Sequence, residues 1–453
     1  MKNHLDWSAY KDAGMGDAYA DIPKNGGDFA KAVAACINSR VCETRSRGVM
    51  CPSFQISGNP NLSTGGRVRL LKAALSSELV EHALLDPTLA QAMELCLACK
   101  GCKRECEANV DMALLKAEYL AQRTARQGLR VRERLFAHLP RWLHGYRWLR
   151  YPVRWRNRSR VLASLAERLL GLAASRPLPE PAATPFRAPQ AEVSAGRDGL
   201  PEVVLLVDTF TREFEPEVAE AACELLIAAG YRLRVAEPAH DAQEPDRPLC
   251  CGRTYLAQGM IDQARAEAAR MAAALKPHVD AGRIVVGLEA SCVLGLRDDA
   301  QALGLGADMQ VVGKRVLMFE EFLSREIRAG RLDLPLRSAA GQRLLVHGHC
   351  HQKAAGAMKA VRRVLKLVPE LQFEMIEAGC CGMAGTFGIE AEHAQTSLAM
   401  AELALLPALR ADTQAQVVAN GFSCRQQIRG LGDQRPRHLV LLLRQYLAER
   451  SLS

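Results

Sequence analysis

Residues 96–106 read Cys-Leu-Ala-Cys-Lys-Gly-Cys-Lys-Arg-Glu-Cys, a C-x2-C-x2-C-x3-C run. Thiolates at Cys96, Cys99 and Cys102 share one tight loop and can reach three corners of a cubane, while Cys106 points elsewhere. Structural zinc sites pair two separated knuckles instead, so this spacing favours iron–sulfur ligation. An earlier group, Cys36-x5-Cys42-x8-Cys51-Pro52, ends in the proline that closes such runs. It departs from the pattern twice: Ser39 stands where a second Cys is expected, and the spacer before Cys51 is long. If the groups form a pseudo-symmetric pair, Cys51 completes the cluster of Cys96, Cys99 and Cys102, and Cys36 and Cys42 join Cys106. Three thiolates at that second position predict a [3Fe-4S] cluster, or a [4Fe-4S] cluster with a non-Cys ligand. A degenerate, metal-free remnant is the plain alternative.

The second set of cysteines is duplicated. Cys250-Cys251-Gly252 is followed by Cys292, and Cys380-Cys381-Gly382 by Cys424. The pairs are offset by 130 residues (380 − 250) and the single cysteines by 132 (424 − 292). Such agreement marks an internal repeat. Adjacent cysteines do not readily bond to each other but can present two thiolates to one metal centre. The later copy has four candidate ligands, Cys350, Cys380, Cys381 and Cys424. The earlier has Cys250, Cys251 and Cys292, with Thr211 expected where Cys350 would align. A cluster or other metal is therefore expected in the second copy, with the first degenerate; cysteines packed in a core are the alternative. His347, His349 and His351 flank Cys350 as ligands, proton carriers or hydrogen-bonded structural groups. Gly382, Gly385 and Gly388 suggest close backbone approach to a bound group.

The elements that must position these residues follow from periodicity. Residues 65–79, 81–94 and 110–126 read as helices carrying the first two cysteine groups, with Arg67, Arg69 and Lys72 on a solvated face or as positive charge near the clusters. From residue 203 the pattern becomes apolar strand, helix, apolar strand, with strands at 203–207, 232–236, 284–288, 344–346 and 416–419 and helices at 218–229, 354–367 and 392–405. That alternation predicts parallel sheets covered on both faces, and each cysteine group lies where doubly wound sheets hold ligands. The fold expected is α+β and multidomain. A lead-in (1–30) precedes an α-helical ferredoxin-like domain (31–122) and a basic helical segment (123–174). A Pro-rich linker (175–201) then leads to two α/β Cys-Cys-Gly modules (202–335 and 336–453).

With 453 residues, two or three domains are the prior, and 49% hydrophobic with 24% charged residues is ordinary for a soluble chain. Fifteen cysteines without an apolar N-terminal h-region fit metal or redox chemistry in a reducing cytoplasm rather than a disulfide framework. Much of the +9 net charge sits in residues 123–168, where ten arginines from Arg130 to Arg160 interleave with Trp142, Trp148 and Trp155. Nucleic acid is excluded for want of a reading motif. A lipid surface on the inner membrane face, an acidic protein partner, or a solvated helix pair packed on the helical domain remain open.

Several motifs together resemble one family. They are Cys51-Pro52-Ser53-Phe54, the Cys96–Cys102 loop, Val207-Asp208-Thr209-Phe210-Thr211, Cys250-Cys251-Gly252-Arg253, Gly348-His349-Cys350-His351-Gln352-Lys353 and Gly379-Cys380-Cys381-Gly382. The chain is similar to the iron–sulfur subunits of flavin-dependent 2-hydroxyacid and glycerol-3-phosphate dehydrogenases, and more distantly to the Cys-Cys-Gly subunits of heterodisulfide reductases. That resemblance implies electron transfer to a quinone or other acceptor. The electrons would come from an FAD-containing partner that oxidises glycolate, D-lactate or D-2-hydroxyglutarate. FAD is expected on the partner, not on this chain. A thiol–disulfide oxidoreductase of the heterodisulfide type and a zinc-stabilised docking protein are the competing expectations.

Overall fold

The structure, a computed structural model, describes residues 1–14, 20–44, 48–188, 202–239 and 242–448. Two parallel four-stranded sheets form the C-terminal half. The first contains β1 (Glu202–Leu206), β2 (Arg232–Val235), β3 (Ile284–Gly287) and β4 (Val316–Met318), in the order β2-β1-β3-β4. The second contains β5 (Arg343–His347), β6 (Gln372–Met375), β7 (Gln416–Ala419) and β8 (Pro436–Arg437), in the order β6-β5-β7-β8. The repeat in sequence is thus a repeat of topology.

Successive strand residues take opposite faces. Val203, Leu205, Ile284 and Val286 share one core with Leu344, Val346 and Val418 of the other sheet. Val204, Leu206 and Val285 instead join the core of the N-terminal helical domain. Leu345, Val417 and Ala419 close over a third core. Burial on both faces is why the central strands read as unbroken apolar runs. In each sheet the strand order reverses between the first and third strands, which opens a crevice at their carboxyl ends.

The helical domain is built on Thr64–Ser76, Pro87–Glu94 and Met112–Gln127. The helix expected across 81–94 is interrupted because Asp86 caps the later piece, accepting from the amides of Thr88 and Leu89, with Pro87 in its first turn. The helix expected across 354–367 begins only at Met358, because Cys350–Ala354 forms its own turn and Gly356 (φ +73°) separates the two. The lead-in is docked rather than loose. Leu5 and Trp7 are buried, and the buried Glu118 carboxylate accepts from the amides of His4 and Leu5 and the Trp7 indole at 2.9–3.1 Å. A carboxylate at that depth requires several donors, and they come from this segment.

The basic segment forms helices Val131–Ala137, Leu139–Gly145, Arg150–Arg158 and Arg160–Leu170. Arg132 pairs with Glu392, and Arg156 donates to the carbonyls of Arg176 and Ala173. Arg176 in turn reaches Gln427, and Phe186 is buried, so the first part of the Pro-rich stretch lies along the body. Residues 189–201 of the expected linker lie outside the described residues. No described helix is long and apolar enough to cross a membrane.

Candidate metal centres

In the helical domain the cysteines fall into two groups. Cys51, Cys96 and Cys102 lie within electrostatic reach of one another, and so do Cys36, Cys42 and Cys106. The Cys96–Cys102 loop curls inward because Ala98 (φ +49°) and Lys100 (φ +62°) are left-handed, as is Cys51 (φ +53°). Three non-glycine residues held there are strained, and such strain concentrates where the surrounding structure imposes a site. What imposes it is visible. Lys100 is buried and paired with Asp111 (2.8 Å) and Asp299 (2.5 Å), and Gly101 packs so close to the backbone of Val49 and Met50 that a Cβ would collide.

Donors already point at these sulfurs. The Thr64 amide lies 3.0 Å from Cys51 Sγ, and the Gly65 amide 3.2 Å from Cys42 Sγ. Burial pushes the Cys51 thiol up to about 11, and Cys102 is raised still further for the same reason. Buried thiols give up their protons only to a cation that replaces them, which is how a metal binds. Arg67 is not on a solvated face: it is buried, donates to the carbonyls of Leu62 and Ala92 and to Ser53 Oγ, and lies near enough to Cys51 to favour its thiolate. Arg69 and Lys72 pair with Glu43 and Asp21. Ser39 is exposed.

Cys99 lies within electrostatic reach of Cys96 and Cys102 and also faces the second module. It is fully buried in a small cluster with Val49, Leu97, Cys350, Cys380, Phe387 and Met400, so it links the helical domain to the second module. After burial, the largest influence raising its pKa is Cys350. His351 closes the same seam by donating Nε2–H to the Ala98 carbonyl (3.1 Å).

The second module gathers Cys350, Cys380, Cys381 and Cys424 at the carboxyl ends of β5 and β7, where the crevice lies. Cys350 begins the helix after β5, and Cys424 lies in the helix Phe422–Gly430 after β7. Their thiols form a chain, Cys350 to Cys380 to Cys381 to Cys424. His347, Cys381 and Cys424 have ligand atoms within 4.8 Å of one another. Among the described residues, neither ring nitrogen of the buried His347 has a hydrogen-bond partner. His349 instead caps the helix by accepting from the His351 amide (3.2 Å), and burial holds its pKa down at about 3. Of the three histidines, His347 is the one grouped with these thiols among the described residues.

The donor set fits an anionic metal centre for a further reason. Lys353 and Lys116 are half-buried, each donates to backbone carbonyls, and among the described residues neither forms an ion pair. Lys353 lies close to all four thiols of the second module, and Lys116 Nζ bonds the Cys96 carbonyl (2.5 Å). Burial lowers the pKa of both. Thiolate-bound iron and sulfide held there would supply negative charge beside these cations.

The first module has the same frame with different chemistry. Its strand register, Leu206 with Gly287 against His347 with Ala419, puts Thr209 rather than Thr211 at the position of Cys350. Cys251 and Cys292 sulfurs are 3.2 Å apart, with Cys250 adjacent. Asp208 and Glu289 lie beside Cys292, and burial with the Glu289 charge raises Asp208 to about 6. Each Cys-Cys pair is followed by a left-handed glycine: a Cβ on Gly252 would strike the Ala264 carbonyl, and one on Gly382 the Ser397 carbonyl. Gly388 likewise packs on Met383 and Ser397, and Gly385 has open space. Backbone packing thus accounts for Gly252, Gly382 and Gly388, while Gly385 borders a large cavity. Sequence reasoning passed over Lys116 and named Lys353 and Arg253 only as motif residues without a role, since single basic residues carry no periodic signal; Arg253 pairs with Asp299 beside His351.

Comparison with known proteins agrees with this layout. Residues 32–110 match the 4Fe-4S dicluster domain, and residues 344–429 the cysteine-rich domain named CCG. The chain is 26% identical to D-2-hydroxyglutarate dehydrogenase of Pseudomonas putida over 92% of its length, but over only 44% of that protein. It is 28% identical to a subunit of the anaerobic glycerol-3-phosphate dehydrogenase of Escherichia coli over 44% of its length and 50% of the relative. The chain therefore spans about half or less of the curated relatives it matches. No solved structure matches it.

Proposed function

We propose that this chain, an iron–sulfur protein with a 4Fe-4S dicluster domain and a CCG domain, relays electrons. They pass from a flavoprotein oxidising a 2-hydroxyacid of the glycolate, D-lactate or D-2-hydroxyglutarate class to a quinone or other acceptor. The dicluster domain implies [4Fe-4S] clusters. Cys51, Cys96, Cys99 and Cys102 would hold one, Cys36, Cys42 and Cys106 another of [3Fe-4S] or mixed-ligand type, and Cys350, Cys380, Cys381 and Cys424 a further centre. Cys250, Cys251 and Cys292 would be a degenerate copy that holds no metal. Bound at the other three groups, such clusters supply one-electron steps, while the chain sets their potentials through burial, sulfur-directed donors and buried cations.

The observation that carries the reading is Cys99, which belongs to the ferredoxin-type loop yet packs against Cys350 and Cys380. Two thiol groups meeting across one apolar seam is the arrangement a relay requires. The test is stepwise dithionite titration of the anaerobically purified chain followed by EPR. A relay gives signals from both domains with line broadening from their mutual coupling. A single isolated signal contradicts it. The thiol–disulfide reading is favoured by one feature, that the second-module thiols border a large cavity. Disulfide reduction that is lost in C381S while ferredoxin-type signals persist would support it.

A further inference from the structure

Glu118, Glu320 and Glu326 are the wholly buried acids among the described residues. The Glu118 carboxylate accepts from the amides and indole of the N-terminal segment, and Glu326 is bonded by Arg331 and the Tyr231 hydroxyl. Glu320 has neither a cation nor a full set of donors. It opens the helix Phe319–Arg328 that follows β4 of the first module. Its Oε1 accepts from the Gln352 side-chain amide, and the Asn420 side chain faces the same carboxyl. Among the described residues its Oε2 has no hydrogen-bond partner. A carboxylate in that setting is costly, so the proton is held more tightly than usual. Burial, with the nearby Glu321 charge, raises Glu320 to about 7.

The two amides that reach Glu320 come from the two segments that carry second-module thiols. Gln352 follows Cys350 in the same helical turn, and its Oε1 accepts from the His349 amide (3.1 Å). Asn420 lies between β7 and the helix of Cys424, and its Oδ1 accepts from the Leu439 amide (3.1 Å). One carboxyl of the first module thus braces both strand ends that present the thiols of the second. The charges on the surrounding elements are engaged elsewhere or exposed. Strands β3 and β4 carry none. Lys359, Arg362 and Arg363 on Met358–Leu365 are exposed, and Arg363 donates to Ser324. Glu321 pairs with Arg297 (2.6 Å), and Arg425 with Glu215. Lys353 donates to the Ala378 and Gly379 carbonyls, and burial holds His347, His349, His351 and His438 neutral.

We infer that Glu320 is a proton-accepting site coupled to the second-module centre, its Oε2 taking a proton from solvent when the centre gains an electron and returning it when the electron leaves. The inference rests on the centre proposed above for Cys350, Cys380, Cys381 and Cys424. One electron, given up by the reduced flavin of the relay, adds a negative charge, and one proton removes a negative charge from the carboxylate. Net charge in the seam is then unchanged, which a low-dielectric interior favours. The coupling is reciprocal: a proton on Glu320 favours the reduced centre as much as reduction favours the proton. Glu320 acts through Gln352 and Asn420, so it is a positioning residue that also holds a proton.

The test is a redox titration of the full, anaerobically purified chain, following by EPR the signal that C424S removes. It is run over about one pH unit either side of 7. The midpoint should fall as pH rises, by up to about tenfold in the oxidised-to-reduced ratio per pH unit, or about 59 mV. E320Q keeps an oxygen toward Gln352 but cannot titrate. Its midpoint should stay flat at the parent's low-pH value, with the ferredoxin-type signals unchanged. On the parent alone, reducing the centre should add a protonated-carboxyl band to the infrared difference spectrum, and E320Q should lack it. A parent midpoint that does not move with pH, or a pH dependence that survives in E320Q, overturns the inference while the centre stands. Absence of any C424S-sensitive signal overturns the centre and the inference with it.

Discussion

The two Cys-Cys-Gly modules share strand order, register and the glycine after each cysteine pair, yet they differ at almost every position that could touch a metal. Where the second module has His347, His349 and Cys350, the first has Leu206, Asp208 and Thr209. Where the second has Gly421, the first has Glu289, and the exchange is steric as well as electrostatic: a Cβ on Gly421 would strike the His349 ring at 2.3 Å. The first module thus sets Asp208 and Glu289 beside Cys292, with Arg253 close to Cys251 and Cys292, whereas the second sets Lys353, which donates to the Ala378 and Gly379 carbonyls, among four thiols. On a shared scaffold, we propose that charge decides which copy can hold an anionic cluster.

The largest expected effect is on metal content. C381S or C424S should remove the iron and sulfide of one centre while leaving the ferredoxin-type EPR signals in place. C251S should change neither. Equal losses from both modules would break the contrast.

Glu215 couples the modules, reaching from the first to Arg425 and Arg429 in the second. Burial alone would raise its pKa, but the two guanidiniums hold it down at about 2. E215A leaves Arg425 buried without its carboxylate and should destabilise the fold by about 3–5 kcal/mol, read by thermal unfolding. Because the folded-state pKa is depressed, this stabilisation is complete above about 4.5 and is lost as pH falls toward 2. A melt unaffected by E215A between those limits would contradict the coupling.

A smaller effect is predicted for charge at the centre itself. K353M should lower metal affinity at the second module by about 10–100-fold, measured by chelator competition, as losing a supporting group typically does. R212M, at the equivalent position of the first module, should leave metal content unchanged. The smallest effect belongs to T209C, which restores a fourth thiol without removing Asp208 or Glu289. It should leave the iron count as it was. A gain of iron would show that thiol number, not charge, separates the copies.

The motifs and the duplication were legible in sequence because cysteine spacing and apolar strand runs are local signals. The edges of the sheets were not. β4 is three residues long, β8 two with a proline, and β6 alternates half-buried and exposed positions, so none shows a buried run. Counting along the chain aligned Thr211 with Cys350, and only strand pairing corrects this to Thr209. Arg67, on a helix face that reads as solvated, is buried because the carbonyls of Leu62 and Ala92 converge on it from elsewhere in the chain. The position of Cys99 at the seam with Cys350 depends on how two domains pack, which no spacing rule encodes.

The central claim is that metal centres occupy the dicluster domain and the second module but not the first. Iron and labile-sulfide counts on anaerobically purified protein, with EPR as isolated and after dithionite, test it directly. Two ferredoxin-type signals are expected, one of them three-iron in the oxidised state if Ser39 leaves a ligand short, together with a third signal that C424S removes. Zinc without labile sulfide, or a signal that depends on Cys251 rather than Cys381, would contradict it.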